Sequence, residues 1–118
     1  MPTLTEIDNS YVIPFDITNC ENGSSLLTRY LGEEWIFKIN TDDFFIQSPS
    51  RCILGQSFGS YELGLKMLDI SIDEVRFYGF DCYFTEYAKV NDLWITYLKG
   101  KKHAIRHDME RRVLELQR

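Results

Sequence analysis

The stretch 48–71, SPSRCILGQSFGSYELGLKMLDIS, places Gly55 and Gly64 inside helical apolar periodicity. A glycine in a helix interior costs roughly 1 kcal/mol against alanine. That cost is usually offset where two backbones approach too closely for a Cβ. The stretch therefore predicts two short helices crossing at these glycines. Ser48-Pro49 reads as an N-cap and first helical position, opening a helix over about 49–58 that Gly59 stops. Ser60 caps the next, with Tyr61, Leu65 and Leu68 on one side. Cys52, Ile53 and Phe58 are expected core fillers. Gln56 is expected to be a buried amide tying loop carbonyls together, since such a group must find partners.

The rest of the chain continues in the same style. Residues 1–22 read as irregular or partly extended, with YVIPF a candidate strand broken by Pro14. Asn22-Gly23-Ser24 reads as a turn, and Ser24 as the cap of a short helix that Gly32 ends. EEWIFKI fits either period: Trp35, Phe37 and Ile39 alternate as in a strand, whereas Trp35, Ile36 and Ile39 share a helical face. NTDDFFIQ reads as a turn and a short extended piece. Ser71 and Glu74 form a capping box for a third helix, IDEVRFY, closed by Gly79. From about Thr85, Tyr87, Val90, Leu93, Trp94, Tyr97 and Leu98 follow three-four spacing. Gly100 interrupts, and a basic amphipathic helix follows. The expected fold is mainly α: a compact bundle of four to six short helices with an irregular or partly extended N-terminal segment. Residues 1–98 form one globular domain and 99–118 its C-terminal helix.

Charge is unevenly placed. Residues 1–98 hold six Lys/Arg against fifteen Asp/Glu, and residues 99–118 seven against three. An acidic body argues against non-specific DNA binding by that body. No apolar run is long enough to span a bilayer, and the N-terminus shows no signal-peptide pattern. Three widely spaced cysteines (Cys20, Cys52, Cys82) suit reduced thiols in a cytoplasm.

RCILGQSFGSYELGLKMLDIS, then YGFD at 78–81 and YAKVNDLWITYL, resembles a family of small uncharacterised bacteriophage and actinobacterial proteins with a Cys-x-Leu-Gly-Gln-x-x-Gly core. The resemblance covers 26–98, with Trp35, Cys52, Leu54, Gly55, Gln56, Gly59, Gly64, Leu65, Gly79, Phe80 and Trp94 in matching places. It implies no established activity. NTDDFFIQ departs from the pattern, and 1–22 and 100–118 read as additions to it.

Candidate chemistry is sparse. Cys52 near a helix N-terminus could be an activated thiol, but His103 and His107 lie far along the chain in the C-terminal extension. Those histidines, four apart with Glu110 three further on, have metal-ligand spacing yet lack an indicated third ligand. No catalytic residue, metal site or cofactor is therefore assigned. GLKMLDISIDEVRFYGF also looks like helix-turn-helix DNA readers, but its reading helix would carry Asp73 and Glu74 against Arg76 alone.

These readings lead to two expectations. The first is a small phage-type binding protein, in the host cytoplasm, that inhibits or redirects a host protein such as a defence nuclease or transcription component. It would use Phe44, Phe45, Asp42, Asp43, Tyr83 and Phe84, with carboxylates standing where phosphates would lie. The alternative is a DNA-binding regulator using 61–79. Ile105, Met109, Val113 and Leu116 form an apolar stripe about 80° wide, which must fold back on its own domain or pair with a second copy, and pairing into a homodimer is the favoured expectation.

Overall fold

The computed structural model describes residues 14–117. They are mainly α-helical, and no β-strand occurs among them. Four α-helices follow in order: α1 (Ile17–Leu31), α2 (Ile53–Phe58), α3 (Tyr61–Leu68) and α4 (Tyr87–Leu116). Short 3-10 helices cover Glu33–Lys38, Thr41–Asp43 and Phe84–Glu86. Most of the candidate strand at 11–15 and the segment before it lie outside the described residues.

Helix α1 begins eight residues earlier than the Ser24 cap predicts. Asp16 caps it, accepting from the Thr18 amide at 2.9 Å, while Asn19 Oδ1 accepts from the Asp16 amide at 2.9 Å. This reciprocal arrangement satisfies two otherwise unpaired donors. Asn22-Gly23-Ser24 is thus mid-helix, and Cys20, Gly23, Ser24 and Leu27 form the buried stripe. Gly23 is needed by packing, not by a turn: a Cβ there would lie 2.1 Å from the Tyr78 carbonyl oxygen. EEWIFK resolves as 3-10 helix, with Trp35, Ile36 and Ile39 buried.

Of the paired glycines, only Gly64 lies at the expected helix crossing. A Cβ on Gly64 would meet Leu54 Cβ at 2.7 Å and Phe58 Cδ2 at 3.1 Å, so α2 and α3 cross there. Gly55 faces backbone instead, with the Pro49 carbonyl oxygen 2.4 Å from a built Cβ. The helix at 49–58 is shorter than predicted. Residues 49–51 form turns, and Cys52 caps α2, its Sγ accepting from the Gly55 amide at 3.3 Å. Ser48 Oγ instead accepts from the Arg51 amide at 3.1 Å. Gln56 ties the loops as expected, although it is half-buried and not buried, because Asn40, one of its two partners, lies at the surface. Its Oε1 accepts from Asn40 N at 2.6 Å, and its Nε2 donates to the carbonyls of Asn40 and Arg51 at 3.2 and 2.9 Å.

Two further expectations are corrected. IDEVRFY is a run of turns, not a helix. Glu74 does accept from the Ser71 amide at 2.9 Å, but the carbonyls of Arg76, Phe77 and Gly79 bond outward. Asn19 Nδ2, Asn22 Nδ2 and Trp94 Nε1 donate to them at 2.8, 3.1 and 2.7 Å. Gly100 does not interrupt: α4 runs thirty residues through it, about 45 Å at 1.5 Å per residue. One exposed glycine is too small a penalty to break a ladder continued on both sides. Helix α4 buries Val90, Trp94 and Leu98 in the core, then runs past it. The radius of gyration, 16.3 Å, exceeds the roughly 13–14 Å of a compact chain this long.

Candidate interaction surfaces

Segment 69–86 is an exposed surface tied to two helices. Asn19 and Asn22 hold it from α1, and Trp94 holds it from α4. Gly79, with φ of +72°, turns the chain where a Cβ would lie 2.8 Å from the Asn19 carbonyl oxygen. The left-handed backbone there favours glycine in any case. Arg76 organises the outer side. It makes a two-pronged ion pair with Glu86, whose Nη2–Oε2 arm is 2.9 Å, and its guanidinium lies 4.5 Å from the Tyr83 ring centre. The hydrogen bonds from Arg76 hold the Glu86 carboxyl below its usual range, because they favour the charged form. In this segment Ile72, Phe77, Tyr83 and Phe84 are 64, 58, 51 and 76% exposed. Asp69, Asp73 and Glu74 are exposed in the same segment.

The residues expected to bind a partner divide between two places and the core. Tyr83 and Phe84 belong to this segment. Asp43 and Phe45 gather around Arg51, which pairs with Asp43 Oδ1 at 2.9 Å and lies 4.5 Å from the Phe45 ring centre. Asp42 is exposed beside them. Phe44 is a correction: it is 3% exposed and belongs to the core. Its neighbour Ile46 is also buried, so successive residues of this extended piece point to opposite sides. Ile72 and Phe77 were missed by sequence reasoning. Read as helix, IDEVRFY offered no sign of which apolar residues would face outward.

Beyond the body, α4 carries the expected stripe. Ile105 packs partly against the core, whereas Met109, Val113 and Leu116 are 53, 52 and 85% exposed. Lys102 Nζ donates to the Ile39 carbonyl at 2.6 Å, and Arg106 stacks over Phe37 at 5.1 Å. These are the helix's outermost ties to the body. An open cleft of about 640 Å³ lies where α4 leaves, between α1, the Glu33–Lys38 turn and α4. Trp35, Tyr97 and Ile105 supply its apolar wall, and Glu21, Arg29 and Glu33 line it as well.

The cysteines are placed for packing. Cys52 is 1% exposed and Cys20 fully buried. Burial pushes the Cys52 thiol above its ordinary value and the Cys20 thiol up to about 12, the reverse of an activated nucleophile. Cys82, half-buried, is also raised to about 12, first by burial and then by Glu86 and Asp81. His103 and His107 stack on the exposed surface of α4 with ring centres 6.4 Å apart. No cluster of three or more metal-ligating side chains occurs among the described residues. No described helix is long and apolar enough to cross a membrane.

No family model, curated protein or solved structure matches the chain, so the likeness read from residues 26–98 has no counterpart among them.

Proposed function

We propose that the protein acts by binding another protein through the segment 69–86. The observation that carries this reading is the exposure of Ile72, Phe77, Tyr83 and Phe84 on a segment held rigidly by Asn19, Asn22 and Trp94. Four large apolar side chains exposed within eighteen residues offer contact area to a partner, and aromatic anchors held by a scaffold lose little freedom on binding. Asp69, Asp73 and Glu74 around them suit a partner with a basic rim. Arg76, the basic residue of the DNA-reading alternative, already holds Glu86 and Tyr83. That engagement favours a protein over duplex DNA at this face.

A host protein as the partner and the host cytoplasm as the place belong to this proposal only through the bacteriophage resemblance read from residues 26–98. The protein would inhibit or redirect that partner by covering its basic surface. Self-association through the stripe on α4 belongs to the same proposal and leaves the 69–86 face free.

Affinity capture from a bacterial host lysate tests the face, comparing the unmodified protein with Phe77→Ser/Phe84→Ser. A protein retained by the first and lost by the second, with retention weakening as salt rises, supports the reading. Identical capture by both forms overturns it. Circular dichroism of the variant must match the parent, as expected for two exposed phenylalanines.

A further inference from the structure

Three of the described carboxylates are half-buried, those of Asp81, Glu86 and Asp108, and the others are exposed. Glu86 pairs with Arg76, and Asp108 with Arg111 and Arg112. Asp81 has no basic side chain within ion-pair distance among the described residues. Its Oδ1 accepts from the Cys82 amide at 2.8 Å and its Oδ2 from the Tyr61 hydroxyl at 3.3 Å. A carboxylate offers about four acceptor sites, so lone pairs remain on both oxygens. Withdrawing a charge from water without a counter-charge is unfavourable, and a cation arriving from outside offsets that cost.

Asp81 lines an open pocket of about 170 Å³. Tyr61, at the start of α3, and Tyr87, at the start of α4, line it as well. Gln47 and Ser48 add residues with acceptor oxygens, Ile46 and Pro49 complete the lining, and no lysine, arginine or histidine belongs to it. The elements around the pocket are tied together. The Tyr61 amide donates to the Pro49 carbonyl at 2.8 Å. Asn91 of α4 accepts from the Ile46 amide at 2.7 Å and donates to Gln47 Oε1 at 3.2 Å. A pocket held ready in this way needs little ordering when it is filled.

Size and chemistry select the occupant. Drug-sized ligands need roughly 300–1,000 Å³, more than this pocket holds. At about 30 Å³ per water-sized group it takes roughly five or six such groups. A lysine side chain brings four methylenes and an ammonium. Its three N–H donors suit Asp81 and the neighbouring oxygens, and tyrosine rings attract a cation over their faces. Burial, and then Asp81, push the Tyr61 hydroxyl above its ordinary value. It therefore keeps its proton on Asp81 and leaves its oxygen as an acceptor. A guanidinium fits less well, because its planar fork seeks both carboxylate oxygens and the Cys82 amide already holds Oδ1.

We propose that the Asp81 pocket binds an alkylammonium group, supplied as a lysine side chain by the protein that docks on segment 69–86. Asp81 belongs to that segment, and the exposed Tyr83 and Phe84 follow it closely in the chain. The source of the ammonium rests on the docking reading, whereas the pocket's chemistry stands on its own geometry.

Amide NMR of the full chain, titrated with Nα-acetyl-lysine methylamide, tests the pocket. Shifts are expected at Ser48, Asp81 and Tyr87, with a dissociation constant on the order of millimolar. The norleucine analogue, which has the same stem without the ammonium, should give none. Asp81→Asn, which keeps an acceptor for Cys82 and Tyr61, should weaken binding at least roughly fivefold. Absent shifts, or equal shifts with the norleucine analogue, overturn the pocket, and loss of capture by Phe77→Ser/Phe84→Ser would still support the docking face. In the lysate capture, Asp81→Asn should lose the same protein as Phe77→Ser/Phe84→Ser. A probe that binds while Asp81→Asn captures normally overturns the partner's lysine as the source and makes a free amine the ligand. A probe that binds while neither variant alters capture overturns the docking reading and leaves the pocket's chemistry supported.

Discussion

Gly23 and Gly100 both lie in the interior of long helices, and Gly→Ala should act on them with opposite sign. At Gly100 a new Cβ meets nothing within 4 Å. Gly100→Ala therefore gains the ordinary helix-propensity difference, about 1 kcal/mol. At Gly23 the Cβ would lie 2.1 Å from the Tyr78 carbonyl oxygen, 3.3 Å from its carbon and 3.1 Å from Phe80 Cε1. Two of the three nearest atoms are backbone, so no side-chain rotation relieves the clash. Helix α1 and the 76–79 turn must separate by roughly 1 Å to restore ordinary contact. That separation stretches the bonds from Asn19 to the Arg76 carbonyl and from Asn22 to the Phe77 carbonyl, now 2.8 and 3.1 Å. Overpacking of this kind costs about 1–3 kcal/mol, and two weakened hydrogen bonds add about 1 kcal/mol each. After the propensity gain of about 1 kcal/mol, Gly23→Ala should destabilise by roughly 2–4 kcal/mol. Urea denaturation followed by circular dichroism measures both variants. A neutral or stabilised Gly23→Ala would refute the close approach of α1 to the turn. A destabilised Gly100→Ala would mean that α4 is not continuous through residue 100.

Gln56→Leu removes the side-chain partner of Asn40 N and of two carbonyls; because Asn40 is exposed and water can replace the amide there, a loss of about 1 kcal/mol is expected in the same denaturation assay. Cys52 should react with a thiol reagent far more slowly in the native protein than in denaturant, and equal rates would contradict its burial. The Glu86 carboxyl, held low by Arg76, contributes stability that is complete above its ordinary value of 4.5 and is lost as pH falls through the lower folded-state value. Glu86→Gln should therefore flatten the acid limb of stability against pH, and an unchanged limb would show that the pair does not contribute. Met109→Asp should give a folded monomer, as should removal of residues 101–118. Light scattering decides this, and a dimer surviving Met109→Asp would move the interface off the stripe.

Local chemistry made several parts legible in advance. Gly55 and Gly64 announced close packing because a glycine in helical periodicity gives up helix propensity that a tight backbone approach restores. Gln56 announced its bonds because an amide among apolar neighbours must be satisfied. The stripe of Ile105, Met109, Val113 and Leu116 followed from spacing alone. Several inferences failed where a local signal competed with a distant contact. Asn22-Gly23-Ser24 has the composition of a turn, yet it is helical because Gly23 admits the Tyr78 carbonyl and Asn22 bonds the Phe77 carbonyl. IDEVRFY has a helix's caps and periodicity, but Asn19, Asn22 and Trp94 take carbonyls within and just after it. Phe44 and Phe45 are adjacent and chemically identical, and only the direction of an extended backbone sends one into the core and the other onto Arg51. The sequence by itself determined the helical class, the tight crossing at Gly64 and the charge division between residues 1–98 and 99–118. Only the tertiary structure decided which aromatics face outward and where α4 leaves its domain, because burial depends on partners more than fifty residues away in the chain.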